Sequence, residues 1–263
     1  MNYYVVDAFA EDPFKGNPAG VCVLEKWLPD SLMQEIAAEN NLSETAFVVK
    51  NIDKYELRWF TPKAEIDLCG HATLGTAYVI SNYVDLGIKD MVFETASGPL
   101  KVTRNDALYE MDFPSREPKK IKINNEIIEA IGMKPVEAYI SRDLFLLLDT
   151  EQKVRDLTPD FSRLTELSEG MGAIVTAKGE DIDFVSRCFY PKLGVNEDPV
   201  TGSAHSNLIP FWAKRLNKRK MTAKQLSKRG GTLYCEAAGE RVKIAGRAIL
   251  YMHGNINIKE DEK

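Results

Sequence analysis

Residues 58–63 read RWFTPK and residues 187–192 read RCFYPK, so the pattern R-x-F-x-P-K occurs once in each half of the chain. Three further pairs of segments match in the same order and at nearly the same separation: 42–44 with 167–169, 65–72 with 197–204, and 98–100 with 231–233. Small loop insertions would produce the slight drift in separation. The four matches predict that the chain holds two copies of one structural unit.

The first copy covers roughly residues 1–115 and the second roughly residues 120–247, followed by a short tail. Each copy shows an apolar strand, a helix after Pro-Asp, another strand, the R-x-F-x-P-K segment, an apolar helix opened by glycine, and alternating closing strands. Because strands outnumber helices and each copy has one apolar helix, we predict an α+β fold. In it, two pseudo-symmetric domains each wrap a curved sheet or barrel around a central helix.

The composition favours a packed core and argues against a nucleic-acid partner. Hydrophobic residues make up 44% of the 263 residues and charged residues 28%, which excludes a disordered chain. With 34 basic and 39 acidic residues the net charge is −5, so the protein repels a polyanion at long range. The densest basic run, residues 214–220 (KRLNKRK), is predicted to be a solvated helix face.

The sequence also predicts a cytoplasmic protein without a membrane segment or a metal. No apolar run approaches the ~20 residues of a membrane-spanning helix, and the first residues do not form a signal peptide. The four cysteines lie far apart with no C-x-x-C pair, and the three histidines make no metal-binding pattern. We therefore expect reduced thiols and no cofactor.

Two related motifs, residues 69–73 (CGHAT) and 201–205 (TGSAH), each place a glycine where a loop turns into an apolar helix. The N–H groups of a helix start bind anions, and a pseudo-twofold axis would aim Gly70 and Gly202 at one shared cleft. Such a cleft suits a small substrate with a carboxylate and stabilises enolate-like charge. The alternative is that both motifs are ordinary helix caps.

Two carboxylates are candidate acid/base groups. Glu44 precedes an apolar strand, where partial burial would push its pKa upward, although most glutamates are surface residues. By the LSE match its partner in the second copy is Glu169. Asp198 lies in a loop bounded by proline and glycine, shortly before Ser203, and could equally be a turn-forming aspartate.

A set of five motifs resembles the signature of the phenazine-biosynthesis (PhzF) isomerase family. The motifs are residues 16–21 (GNPAGV), 42–47 (LSETAF), 58–62 (RWFTP), 69–73 (CGHAT) and 197–204 (EDPVTGSA). The resemblance runs through both halves and implies the diaminopimelate-epimerase-like fold, with the site between the domains. It also implies that the tail, residues 248–263, joins the first domain.

The resemblance further implies a cofactor-independent isomerase that moves a proton on a small carboxylate. The catalytic glutamate of the family falls on Glu44, and its supporting residues fall on His71, Asp198 and Ser203. The helix starts, with Gly70, Ala72, Thr201 and Gly202, would hold the substrate. Whether the chain forms a homodimer stays open.

Two alternatives remain. In related epimerases and racemases two cysteines face each other just before the helix glycines, where this chain has Cys69 and Thr201. This chain therefore lacks the second acid/base of a two-thiol racemase, but a one-cysteine epimerase or dehydratase is conceivable. We favour a buried apolar role for Cys69. The second alternative is a binding protein that kept the fold and lost the reaction.

Overall fold

The computed structural model describes residues 1–52 and 54–258. The chain divides into two compact units, one formed by Met1–Asp112 with the chain from Ala245 onward, the other by Phe113–Ile244. The sequence placed these boundaries at 115, 120 and 247. The end of the predicted tail, residues 259–263, lies outside the described residues.

The first unit contains nine strands and two α-helices among its described residues. The strands are β1 (Asn2–Ala8), β2 (Asn17–Leu24), β3 (Glu44–Asn51), β4 (Lys54–Phe60), β5 (Glu65–Ile66), β6 (Asp90–Glu94), β7 (Leu100–Asn105), β8 (Leu108–Pro114) and the tail strand, β18 (Ala248–Asn255). The helices are α1 (Asp30–Asn40) and α2 (Gly70–Val79), and a π-helical turn, Ile80–Val84, follows α2. β1 pairs antiparallel with both β18 and β2, and β2 pairs in parallel with β3. β4 pairs antiparallel with β3 and β5 and in parallel with β6.

The second unit contains the remaining strands and four α-helices of the described chain. The strands are β9 (Lys119–Ile121), β10 (Glu137–Ile140), β11 (Leu144–Leu147), β12 (Ala173–Lys178), β13 (Phe184–Tyr190), β14 (Val195–Asp198), β15 (Lys220–Gln225), β16 (Gly231–Ala238) and β17 (Arg241–Gly246). The helices are α3 (Asn125–Ile131), α4 (Glu151–Asp156), α5 (Phe161–Glu166) and α6 (His205–Leu216). β11 pairs antiparallel with β10 and in parallel with β12. β13 pairs antiparallel with β12 and β14 and in parallel with β15.

The order and direction of strand pairing in β10–β16 repeat those of β1–β7. In both units an antiparallel hairpin is followed by a parallel neighbour, an antiparallel strand, a short antiparallel strand and a second parallel neighbour. Parallel neighbours need a crossover, and helices supply it at equivalent points. In the first unit these are α1 and α2, and in the second α4 with α5, and α6. A duplicated unit would have this common topology.

Helix α2 is the core of the first unit. Every residue from Gly70 to Ala77 is buried, which is the burial of a helix surrounded on all sides rather than of an amphipathic surface helix. It lies against β1 and β2, since a Cβ at Gly75 would be 3.6 Å from Val6 and 3.7 Å from Ala19. The expectation of an α+β fold with a curved sheet around a central helix is confirmed.

Some predicted elements differ in detail. The basic run 214–220 is not one helix face, because α6 ends at Leu216, Asn217 takes the left-handed conformation (φ 49°), and Lys220 begins β15. The helix after Pro159–Asp160 is the short α5, and no sequence pattern indicated α3 or α4. None of the helices among the described residues is long and apolar enough to cross a membrane.

Replacing Leu74 tests the buried position of α2. The Leu74 side chain is fully buried, so Leu74→Ala should lower the free energy of unfolding by about 2–5 kcal/mol. Leu86 is 79% exposed, so Leu86→Ala should change it by less than about 0.5 kcal/mol. Urea denaturation of both variants measures the difference, and equal effects would contradict the burial of α2.

Candidate active site

Glu44 is the first residue of β3 and pairs in parallel register with Ala19 of β2. The strand continues into the core through Thr45, Ala46 and Phe47, which are all fully buried. The Glu44 side chain at the strand end keeps 17% exposure. The side chain is thus held at the edge of the core and partly reached by solvent, while its Oε2 atom is buried.

His71 is the second residue of α2 and lies beside Glu44. Its Nε2 atom is 3.1 Å from Oε2 of Glu44, and its side chain is 7% exposed. The two atoms approach closely without the alignment of a good hydrogen bond. Such loose geometry is common in catalytic pairs before a substrate binds.

The opposite side of the His71 ring contacts two further side chains. Nδ2 of Asn17 lies 3.2 Å from Nδ1 of His71, and Sγ of Cys69 lies 3.5 Å from the same nitrogen. Asn17 begins β2, and Cys69 is the N-cap residue of α2. Three separate segments of the first unit therefore converge on one imidazole.

Charge and burial act in opposite directions on His71. Burial lowers the pKa of His71, but its contacts with Cys69 and Glu44 raise it, and the pKa ends well above the ordinary histidine value. Burial, together with Glu44, raises the pKa of the Cys69 thiol, so this group stays neutral near neutral pH. The carboxylate of Glu44 is then the charge that favours a protonated His71.

The start of α2 offers backbone donors next to this cluster. Cys69 has an extended backbone conformation and its side chain does not cap the helix by a conventional hydrogen bond. The N–H of Thr73 already donates to the carbonyl of Cys69, at 3.1 Å. Those of Gly70 and His71 precede the first intrahelical bond, which makes them available to an anion, whereas the N–H of Ala72 is directed at the Cys69 sulfur.

Glu44, Cys69 and His71 are also a candidate metal-binding set, since one ligand atom of each lies within 4.8 Å of the others. The contacts argue against a single ion. Glu44 faces Nε2 of the imidazole, whereas Cys69 faces Nδ1, and a metal binds only one of the two ring nitrogens. The arrangement fits proton transfer along the ring better than coordination.

In the second unit Asp198, the last residue of β14, is tied to the loop that follows it. The hydroxyl of Thr201 donates to Oδ2 of Asp198 at 2.6 Å. Gln225, at the end of β15, accepts from the backbone N–H of Thr201 at 2.9 Å and donates to the carbonyl of Asp198 at 2.7 Å. Asp198 and Thr201 are therefore held together.

Ser203 and Gly202 form the turn before α6. The carbonyls of Gly202 and Ser203 accept from the N–H groups of His205 and Ser206, at 3.0 and 3.2 Å, and the helix begins at His205. Gly202 is buried and Ser203 is half-buried. The N–H groups of Gly202 and Ser203 precede the first backbone bond of this turn, so the second motif also offers backbone donors.

The strand register corrects the predicted partner of Glu44. Arg58 pairs with Phe47, and its counterpart Arg187 pairs with Val175, so Phe47 and Val175 occupy equivalent positions in the two copies. Counting back equally along the two strands, the residue equivalent to Glu44 is Gly172, not Glu169. The LSE match is misleading because the two segments differ in loop length before the strand.

Gly172 also explains why the second unit has no acid at this position. A Cβ on Gly172 would come within 2.2 Å of the Tyr190 ring and 2.6 Å of the Phe189 carbonyl. Tyr190 is itself buried, and no side chain fits between them. Glu44 therefore has no acidic counterpart at the equivalent position of the second copy.

Sequence reasoning assigned no role to three residues that make key contacts. Asn17 contacts His71, Gln225 braces Asp198 and Thr201, and Nδ1 of the buried His205 contacts the carbonyl of Thr201 at 2.9 Å. Asn17 was visible only as part of the GNPA motif. His205 was likewise visible only as the last residue of the 201–205 motif. Gln225 carries no sequence signal, because its partners are set by strand pairing.

Comparisons with known proteins agree with this architecture. The family model described as "Phenazine biosynthesis-like protein" (PhzC-PhzF) matches residues 6–254. An uncharacterized isomerase of Pseudomonas aeruginosa is 48% identical over 258 residues, covering 98% of this chain and 99% of that protein. The crystal structure of a PhzF-family protein from Enterococcus faecalis is 56% identical with a TM-score of 0.96, covering 98% and 99% of the two chains. A probable proline racemase from Agrobacterium radiobacter shares the fold alone, at 10% identity and a TM-score of 0.66, over 99% and 94% of the chains.

His205 should make stability depend on pH. Burial lowers its pKa to about 4, against an unfolded value of 6.5, so between these values the unfolded chain binds the proton more readily. This contribution to stability is fully present above pH 6.5 and is lost as the pH falls towards 4, by up to about 3 kcal/mol. The free energy of unfolding in urea should fall more steeply over this pH range for the wild type than for His205→Asn. The asparagine keeps a donor towards the Thr201 carbonyl. Parallel pH profiles would contradict the assignment, since the opposite contribution of His71 is common to both proteins.

Proposed function

The chain belongs to the phenazine biosynthesis-like (PhzC-PhzF) family and is an isomerase of that type, and on this premise we propose a cofactor-independent proton transfer on a small carboxylate substrate, with Glu44 as the general acid/base. The observation that carries the proposal is the 3.1 Å approach of Glu44 Oε2 to His71 Nε2. A partly buried carboxylate beside an imidazole is a pair that can take up and return a proton.

Glu44 and His71 have complementary parts in this reaction. The Glu44 carboxylate removes a proton from an activated carbon of the substrate and returns it at another position. His71 stabilises the carboxylate while it is charged, because a protonated ring is favoured beside it. When Glu44 carries the proton, the same ring supplies a hydrogen bond to the developing negative charge.

The start of α2 has the properties of an anion site for the substrate. The N–H groups of Gly70 and His71 lie in the first turn, at the positive end of the helix dipole. A carboxylate bound there would lie at the backbone of His71, the residue whose ring contacts Glu44. The same donors stabilise the enolate-like charge that forms when the proton leaves.

We assign Asp198, Thr201, Gly202 and Ser203 to the same reaction. The half-buried Ser203 hydroxyl and the N–H groups of the turn are donors for a carboxylate, and Asp198 is a second candidate proton carrier. The hydroxyl that donates to Asp198 comes from Thr201, the counterpart of Cys69. A hydroxyl at this position stabilises a charged Asp198. It is itself too weak an acid to replace the catalytic thiol of a two-cysteine racemase.

The one-cysteine alternative requires a reactive Cys69. Its thiol is buried. Burial and, to a smaller extent, the charge of Glu44 raise the pKa of this thiol, which disfavours the thiolate that such a reaction needs. The binding-protein alternative predicts ligand binding without turnover. Both alternatives are separated from the proposal by the experiment below.

The same proposal includes a cytoplasmic protein that acts on small molecules. All four cysteines are buried free thiols, which suits a reducing compartment. The net charge of −5 disfavours a nucleic-acid partner. A homodimer remains a prediction, and sedimentation of the purified protein measures it.

Replacing Glu44 by Gln tests the proton carrier. Glu44→Gln keeps the size of the side chain but cannot exchange a proton at neutral pH, so turnover should fall by at least ~100-fold. A panel of small carboxylates is first screened by thermal shift, and those that bind are then incubated in D₂O. Proton NMR then follows deuterium incorporation into the bound carboxylates. Binding should survive in the variant, because the donors of the helix start are unchanged.

Cys69→Ala is the matched control, since Cys69 contacts the same imidazole. It should lower stability modestly and retain most of the exchange activity. An inactive Cys69→Ala with an active Glu44→Gln would instead support the one-cysteine reaction. Binding by the wild type with no exchange for any ligand would support the binding-protein alternative.

A further inference from the structure

We propose that Asn17 is a positioning residue for this proton transfer, whose buried amide holds the His71 ring by a hydrogen bond at Nδ1. By rotating through a half turn the amide can bond to either the neutral or the protonated ring, while Nε2 keeps facing Glu44. The inference rests on the proposed roles of Glu44 and His71. It gives a function to the GNPA motif, which the reaction as described above leaves without one.

The backbone around Asn17 is fixed on both sides. Gly16 has φ +67°, and a Cβ there would lie 2.2 Å from the carbonyl of Ala8, so only glycine fits. Pro18 restricts Asn17 to an extended conformation. Asn17 also pairs with Ala8 in the antiparallel ladder of β1 and β2. A side chain on so rigid a segment, with none of its surface exposed, is well placed to hold a ring in position.

The contact itself has two chemical states. When the NH₂ group of Asn17 donates to Nδ1, at 3.2 Å, Nδ1 is unprotonated and accepts through its lone pair. The single ring proton is then on Nε2, facing Glu44. If the amide flips so that its oxygen and nitrogen exchange places, the carbonyl oxygen accepts from a protonated Nδ1. Both N–H groups of the imidazolium then have an acceptor, Asn17 on one side and Glu44 on the other.

Asn17 is the strong hydrogen-bonding neighbour of Nδ1. The titratable groups that act on the ring are Glu44 from β3 and Cys69 from the N-cap of α2, and β2 brings the neutral Asn17. The thiol of Cys69, at 3.5 Å, is a weak donor and a weak acceptor. An aspartate in place of Asn17 would hold the ring protonated, and a leucine would leave Nδ1 without an adequate acceptor, which disfavours the protonated ring.

The test measures the His71 ring directly and needs no substrate, so it is independent of whether the proposed reaction is correct. The chain has three histidines, which keeps the spectrum of ¹⁵N-histidine-labelled full-length protein simple. Long-range ¹H–¹⁵N NMR from pH 5 to 9 reports the tautomer and the pKa of each ring. His71→Gln identifies the signals of His71 by their loss.

The two substitutions should move the His71 pKa in opposite directions, each by about one unit or more. It should rise in Asn17→Asp and fall in Asn17→Leu. The fall in Asn17→Leu is the deciding result, because a carboxylate placed beside the ring raises its pKa whatever Asn17 does in the wild type. An unchanged or raised His71 pKa in Asn17→Leu would overturn the proposal. Asn207, 3% exposed with its amide on a backbone carbonyl, is the matched control. Asn207→Asp and Asn207→Leu should cost stability without changing the His71 signals.

The wild type provides a measurement that does not depend on the variants folding. The side-chain amide resonances of Asn17 should shift with pH at the same midpoint as His71, because the amide exchanges one partner atom for the other. If the Asn17 amide stays constant while His71 titrates, the amide does not follow the ring and the proposal is wrong.

Discussion

The site depends on the burial of one polar helix start. Helix α2 lies inside the first unit with its first turn included, so the imidazole of His71 is removed from water. A buried polar ring is costly unless its nitrogens find partners. The first residues of two adjacent parallel strands, Asn17 of β2 and Glu44 of β3, provide them. The parallel pairing of these strands brings both ends to the same edge of the sheet.

This arrangement also determines which group is charged. In water the imidazole and the thiol would titrate at their ordinary pKa values, whereas here burial and the neighbouring groups shift both. The buried thiol of Cys69 is kept neutral, and the carboxylate of Glu44 favours the protonated ring. A pair whose proton can lie on either member is what a reversible proton transfer requires. Neutral Asn17 completes the cluster without adding a competing charge.

The two units share a topology and differ in chemistry at the equivalent positions. Where the first unit has Glu44, the second has Gly172, whose Cα faces the ring of Tyr190. Where the first has Cys69, the second has Thr201, hydrogen-bonded to Asp198. The same strand pairings thus hold a carboxylate beside an imidazole in one unit and a hydrogen-bonded aspartate in the other. Similar backbone geometry does not imply similar function.

The sequence by itself determined the fold class and the repeated order of elements, and it named every residue proposed to act in the reaction except Asn17. Period, glycine position and motif spacing are local properties, so they locate β3, α2 and the turn before α6 to within a few residues. The tertiary structure alone decided the register that makes Gly172 the equivalent of Glu44, the contacts of Asn17, Gln225 and His205, and the neutral state of Cys69. These depend on which strands are neighbours and on how much water reaches each group. Both are set by segments far apart in the chain, and no local pattern records them.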